Sequence, residues 1–131
     1  VSILTAQADH HPIDRLKPCV TLDEVLELKR AAQHVRISEE MKRYIVDLVA
    51  ATRTFPGVQL GASPRASIAL TKTAQALALF DGLDFVSPEQ VRELAAPVIA
   101  HRLAMEPQAR FSGQTAEGVV GEILKKTPVP A

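Results

Sequence analysis

Ser63, Pro64 and Arg65 close the segment Gly61-Ala62-Ser63-Pro64-Arg65, and their types in that order suit anion chemistry. Serine is a favoured N-cap and proline suits the first helical position, so the spacing predicts a helix starting at Ser63. Arg65 then falls in the first turn, where the macrodipole is positive and a cation costs roughly 0.3–1 kcal/mol. The same end favours an anion, because its first amides are free and a guanidinium beside them adds a two-pronged phosphate clamp. A local rule broken at a well-formed helix start is a functional hint. A surface arginine paired with a nearby carboxylate accounts for the spacing equally well.

The other candidates make no complete catalytic set. The sequence contains no GxxxxGKS/T, HExxH, CxxC or GxSxG pattern. His10 and His11 lie near Asp9 and Asp14, but adjacent histidines between loop-forming residues more often bind nothing, and no metal is expected. Cys19 has no neighbour that would activate its thiol, so a buried or idle cysteine is expected. Arg102 projects onto the inward stripe of its helix beside Ala95, Val98 and Ile99, with His101 flanking it. A buried arginine must be paired. Either the helix ends early, or Arg102 reaches a carboxylate, a nucleotide or a neighbouring subunit. Arg53 ends another helix and suits the negative pole there, which makes it a C-terminal cap unless it serves the same contacts. Tyr44 falls on a core stripe and is read as packing.

The elements that must position these residues follow from periodicity. Thr21 and Glu24 form a capping-box pair, followed at helical spacing by Leu22, Val25, Leu26, Leu28, Ala32 and Val35. A second helix starts at Ser38, with Glu39 and Glu40 at its positive end. Its stripe of Met41, Tyr44, Ile45, Leu48, Val49 and Thr52 stops before Phe55-Pro56-Gly57. The helix from Ser63 runs to Asp81-Gly82 and is apolar nearly all round, which predicts a central position with Leu70, Leu77 and Phe80 buried. Ser87-Pro88-Glu89-Gln90 opens a fourth helix with inward Val91, Leu94, Ala95, Val98, Ile99 and Leu103, interrupted by Pro97. A fifth, weakened by Gly118 and Gly121, covers about residues 115–126. Val35-Arg36-Ile37 and Asp84-Phe85-Val86 are short enough to be connectors, or to pair as a minimal ladder. The fold expected is all-α, a bundle of four or five helices with at most that one small β pairing.

Composition narrows the function classes. The 131 residues make one domain with a real core. Fifteen basic residues offset fifteen acidic ones, so net charge gives no reason to expect nucleic acid or an anionic membrane as partner. No apolar run approaches the roughly 18 residues of a membrane span. Cys19 is the single cysteine, which excludes an intrachain disulfide and points to a reducing, cytoplasmic compartment. Residues 1–20 are broken by His10-His11-Pro12 and Lys17-Pro18 and read as a linker or hinge, and the chain, opening without Met, reads as a fragment of something longer.

Taken in order, these motifs resemble the C-terminal lid domain of MoxR-like AAA+ ATPases. Tyr44-Ile45-Val46 leading to Ala51-Thr52-Arg53, then Gly61-Ala62-Ser63-Pro64-Arg65-Ala66, then Asp81-Gly82 with Asp84-Phe85-Val86-Ser87-Pro88-Glu89, and finally His101-Arg102-Leu103, carry the resemblance. It runs from about Thr21 to Pro128-Val129-Pro130, so that residues 21–131 form the lid and residues 1–20 the hinge from an ATPase core. One departure is Leu83, where the family often has arginine after the glycine.

The resemblance implies a second-sensor role for Arg65 at the terminal phosphates of ATP, with Ser63 and Ala66 in the same nucleotide-binding turn. The phosphate loop, the magnesium-holding acidic motif and the arginine finger would belong to the core. It further implies a homo-oligomeric ring, commonly a hexamer, acting as a chaperone that assembles or activates client proteins, often ones with von Willebrand factor A domains. On that reading the isolated chain hydrolyses no ATP. The competing reading is a free-standing helical protein-interaction module without nucleotide chemistry.

Overall fold

The computed structural model describes Ile13 and residues 16–130. Among these residues six α-helices and one two-stranded sheet follow one another as α1 (Leu22–His34), α2 (Glu39–Ala51), β1 (Val58–Leu60), α3 (Pro64–Phe80), α4 (Pro88–Ile99), β2 (Ala104–Met105), α5 (Pro107–Phe111) and α6 (Ala116–Lys126). No helix among them is long and apolar enough to cross a membrane.

The starts of these helices are built from local side chains. The Thr21 hydroxyl accepts the Glu24 amide at 3.2 Å while the Glu24 carboxylate accepts the Thr21 amide at 2.6 Å, completing the capping box of α1. The Ser38 hydroxyl accepts the Met41 amide at 3.1 Å at the head of α2. Ser87 and Gln90 make a second capping box on α4, and Thr115 caps α6 through the Gly118 amide.

The core lies where α2, α3, α4 and α6 meet. Ile45, Leu48 and Val49 from α2, Leu70 from α3, Val91 and Ile99 from α4, and Val119 and Val120 from α6 are all at most 2 % exposed. The buried row of α3 is Ala66, Leu70, Ala74 and Ala78, four residues apart and mostly small, which lets α1, α2 and α4 approach it closely. The helix is therefore central, as its sequence suggests, but its apolar surface is not all enclosed. Leu77 is half-buried and Phe80 is 77 % exposed. Phe80 lies about 200° around the helix from Ala78, on the face turned from the buried row.

Of the two readings left open for the short triplets, the structure shows the pairing. Arg36 and Phe85 form an isolated parallel bridge, in which the Arg36 amide donates to the Asp84 carbonyl and the Val86 amide to the Arg36 carbonyl, each at 2.9 Å. The antiparallel pairing of β1 with β2, with Val58 opposite Met105 and Leu60 opposite Ala104, is a second pairing that the sequence pattern did not reveal. Two- and three-residue strands are too short to show an alternation. The five-residue α5 is likewise an addition to the expected bundle, and α1 buries none of its residues despite its regular stripe.

Helix α4 ends at Ile99 and tightens into a 3-10 turn over Ala100–Arg102, three residues beyond Pro97. Leu103 thus leaves the helix, although it still packs half-buried against the core. Arg102 leaves the inward stripe for the same reason. It is exposed, and no burial calls for a charged partner.

Candidate functional site

The start of α3 differs chemically from the starts of the other long helices. Among the described residues, α1, α2, α4 and α6 each begin with a hydroxyl bonded to a first-turn amide and at least one acidic residue in the first turn. Ser63 has the backbone geometry of an N-cap, φ −84° and ψ 168°, but its side chain bonds to no amide, and the first turn of α3 holds no acid. It holds Arg65 instead, which is exposed and takes no hydrogen bond or ion pair among the described residues. The ion pairs of those residues are Arg36–Asp84, Lys42–Glu39 and Lys125–Glu122. Among the described residues no surface carboxylate pairs with Arg65. An uncapped helix start with a free guanidinium in its first turn can receive an anion through both features at once.

The segment leading into that turn is held at one residue, Ala62. The Ala62 amide donates to the Thr52 hydroxyl at 2.9 Å, and the same hydroxyl donates to the Val49 carbonyl at 2.6 Å. From the next residue, Arg53 Nε donates to the Ala62 carbonyl at 3.1 Å. Thr52 is fully buried and Ala62 is 1 % exposed. Gly61 lies so close to the end of α2 that a Cβ there would come within 2.6 Å of the Arg53 Cα and 2.7 Å of its nitrogen. Only glycine permits that approach. Arg53 and residues 59–64 border an open groove of about 470 Å³.

The sequence-derived candidates therefore separate. Ser63 and Arg65 are exposed at the α3 start. Ala66 is fully buried, and its amide donates to the Ser63 carbonyl at 2.8 Å, so it anchors the turn from inside. Arg53 does not cap its own helix; it crosses to Ala62. Arg102 Nε donates to the Val98 carbonyl at 3.1 Å and His101 Nδ1 lies 3.0 Å from the Pro97 carbonyl oxygen, so both close the end of α4 locally. Cys19 is exposed and free rather than buried. Asp9, His10, His11 and Asp14 lie outside the described residues, among which no three metal-ligating side chains gather.

Sequence reasoning missed the roles of Thr52 and Gly61. Thr52 reads as one more position of an amphipathic stripe, and its hydroxyl's second partner is ten residues away across β1. The one available signal was a glycine directly before an Ala-Ser-Pro helix start, which hints at close backbone approach.

A larger cavity of about 640 Å³ opens beside the Arg36–Phe85 bridge, bordered by Ile37, Met41, Pro88 and Pro130 among others. Its single titratable residue, Arg36, is paired with Asp84 at 2.7 Å. Its two hydroxyls, Ser38 and Ser87, are engaged in helix caps, and the α3 start is the better candidate.

Three of the four depressed carboxylates among the described residues belong to helix starts as well; the fourth, Glu122 within α6, is lowered by its ion pair with Lys125. Glu24 is lowered by the Thr21 backbone amide and then its hydroxyl, and Glu89 by the Ser87 hydroxyl and then its own amide. Glu40 is lowered by its own backbone amide and then by Ser38. Each marks an end where anions are already supplied by the chain, as α3 does not.

Comparison with known proteins identifies the family. Residues 50–123 match the family model of the AAA lid domain, a span containing Thr52, Arg53, the α3 start and α4. The chain is 42 % identical to protein YeaC of Bacillus subtilis over 130 residues, 99 % of the chain and 41 % of that protein. It is 30 % identical to the chaperone MoxR1 of Mycobacterium tuberculosis, over 87 % of the chain and 33 % of MoxR1. It is 34 % identical to MoxR of Paracoccus denitrificans, over 72 % of the chain and 32 % of that protein. The crystal structure of a predicted ATPase from Cytophaga hutchinsonii superposes with a TM-score of 0.78 at 34 % identity, covering 83 % of the chain and 36 % of that structure. The chain thus spans well under half the length of each of these relatives, and it belongs to the AAA lid domain family, in the form carried by MoxR-like AAA+ ATPases.

Proposed function

We propose that this lid senses the terminal phosphates of ATP through Arg65 and couples ATP binding and hydrolysis, in an ATPase of which it is part, to chaperone-like assembly or activation of client proteins. The observation that carries the reading is the start of α3: a free guanidinium in the first turn of a helix capped by neither a side chain nor an acid. Phosphate oxygens fit that donor set, since they accept from a planar guanidinium and from the free Arg65 amide alike, the Ala66 amide being used on Ser63. Bound there, ATP would supply the transferable phosphoryl group. Arg65 would hold its oxygens as charge shifts toward the leaving group. Ser63 and the buried Ala66 would fix the turn from which Arg65 extends.

The described residues gather no set of carboxylates for magnesium, so the ion would be held by the ATPase core. On this reading residues 21–131 are the lid and residues 1–20 the hinge from that core. Ring neighbours, in a hexamer by analogy with the family, would meet the lid, with Arg53 and Arg102 among its exposed cations. A role in the cytoplasm, and clients carrying von Willebrand factor A domains, belong to the same proposal. Similarity to proteins named as MoxR and as a chaperone supports it.

The test is ATP hydrolysis by the intact ATPase with and without Arg65→Ala. A large fall in turnover with an undisturbed fold supports the proposal, and unchanged hydrolysis overturns it.

A further inference from the structure

We infer that Thr52 and Arg53 are positioning residues for Arg65, acting through the backbone of Ala62; the inference rests on the phosphate-sensing role proposed for Arg65. The Ala62 amide hydrogen bonds to the Thr52 hydroxyl and its carbonyl oxygen accepts from Arg53 Nε, so both polar groups of one residue are tied to the two residues directly after α2. A residue held at its amide and its carbonyl cannot rotate about its own axis without breaking one of the two bonds. Ala62 is separated from Arg65 only by Ser63, whose side chain makes no capping bond, and Pro64, whose ring fixes φ. The direction in which Arg65 leaves the helix start is thus set from the turn that ends α2, not by the usual capping hydroxyl.

Gly61 completes the clamp. Its α-carbon rests against the Arg53 backbone at a separation that excludes any side chain, so the segment cannot slide along α2. Thr52 is buried and its hydroxyl is doubly engaged, with the Val49 carbonyl as its acceptor. The hydroxyl hydrogen is committed to Val49, which leaves an oxygen lone pair aimed at Ala62. Arg53 is exposed, and one of its five donors is used on Ala62. Its side chain can be removed without opening the core.

A donor misplaced by about 1 Å can cost up to a hundredfold in turnover. In the intact ATPase, Arg53→Ala should lower kcat about ten- to hundredfold on its own. It should lower kcat no further in an Arg65→Ala background, because two residues acting through one contact are not additive. Thr52→Ser keeps the hydroxyl and should keep the parental kcat, whereas Thr52→Val removes it and should behave as Arg53→Ala does. If Thr52→Val does not fold, the exposed Arg53 arm of the cycle decides alone.

An Arg53→Ala variant with parental kcat overturns the inference. So does one that lowers kcat by the same factor in both backgrounds, since Arg53 would then make its own contact. In either case a slow Arg65→Ala variant leaves the sensing role standing. If Arg65→Ala itself hydrolyses ATP normally, the sensing role fails and the positioning role falls with it.

Discussion

Gln90 and Asp81 join the end of one helix to the start of the next. Gln90 Nε2 donates to the Asp81 carboxylate at 2.9 Å, while its Oε1 accepts the Ser87 amide at 2.9 Å. Among the described residues Gln90 is one of two buried polar side chains, at 6 % exposure. One side chain therefore completes the capping box of α4 and fixes the turn that follows α3, whose opposite end carries Arg65.

Gln90→Ala should destabilise the domain by about 1–3 kcal/mol, the range for losing a cap together with a buried hydrogen bond. Gln90→Glu keeps an acceptor for the Ser87 amide but loses the donor to Asp81 and sets two carboxylates together. Urea denaturation of the two variants separates the halves of the contact. Equal stability of Gln90→Ala and the parent would show that Gln90 holds neither.

Gly61 and Gly121 should respond oppositely to alanine. A methyl group at Gly61 meets the Arg53 backbone within 2.6 Å, and backbone cannot swing aside as a long side chain can. Gly61→Ala should cost about 1–3 kcal/mol or more as β1 and α3 shift away from α2. Gly121 lies within α6 with open space around its α-carbon. Gly121→Ala should therefore stabilise by about 0.5–1 kcal/mol. Thermal melts of both variants check the pair, and a shift of the same sign in each would contradict the contacts assigned to Gly61.

Much of the fold was legible because its signals are local. Thr21, Ser38, Ser63 and Ser87 mark helix starts by side-chain chemistry, and the structure places a helix after each. Burial on α3 was legible only in part, because a helix apolar all round does not say which face is covered. Leu70 is fully buried and Phe80 is largely exposed, although both are apolar residues of the same helix. Leu70→Ala should cost about 2–5 kcal/mol. Phe80→Ala should stay within about 0.5 kcal/mol of the parent. The reverse order in denaturation experiments would mean that α3 is rotated. At the candidate site Arg65 stood out by breaking a rule of its own helix, whereas Thr52 and Arg53 act on Ala62 across a turn and a strand that no periodicity links.

Acid should loosen α1 before the core. Glu24 is held below the ordinary carboxylate range, first by the Thr21 amide and then by its hydroxyl. A depressed carboxylate contributes stability that is complete above the unfolded-state value of about 4.3 and is lost as pH falls through the lower folded value. Helix α1 buries no residue, so little packing compensates when its capping box protonates. Amide exchange in α1 should accelerate, relative to intrinsic rates, as pH drops below about 4.3. Gln suits the same capping position without titrating, so Glu24→Gln should flatten that dependence. An unchanged acid response in Glu24→Gln would assign the loosening to another group.

Arg65 carries the sharpest prediction. Its guanidinium is exposed and takes no partner among the described residues, so removing it breaks no contact of the fold. It also removes a cation from the positive end of α3, which leaves stability unchanged or slightly raised. In the intact ATPase, Arg65→Ala should slow hydrolysis by about 10²–10³, the range for removing one preorganised donor from a developing negative charge. Arg65→Lys should recover part of that loss, because an ammonium supplies charge but not the planar two-point contact. Steady-state ATPase assays and thermal melts on the same preparations check both halves. Slow turnover with an intact melt makes Arg65 a phosphate-sensing residue. Normal turnover, or a melt lowered in step with activity, makes it a residue of the fold and removes the chemical reading of the α3 start.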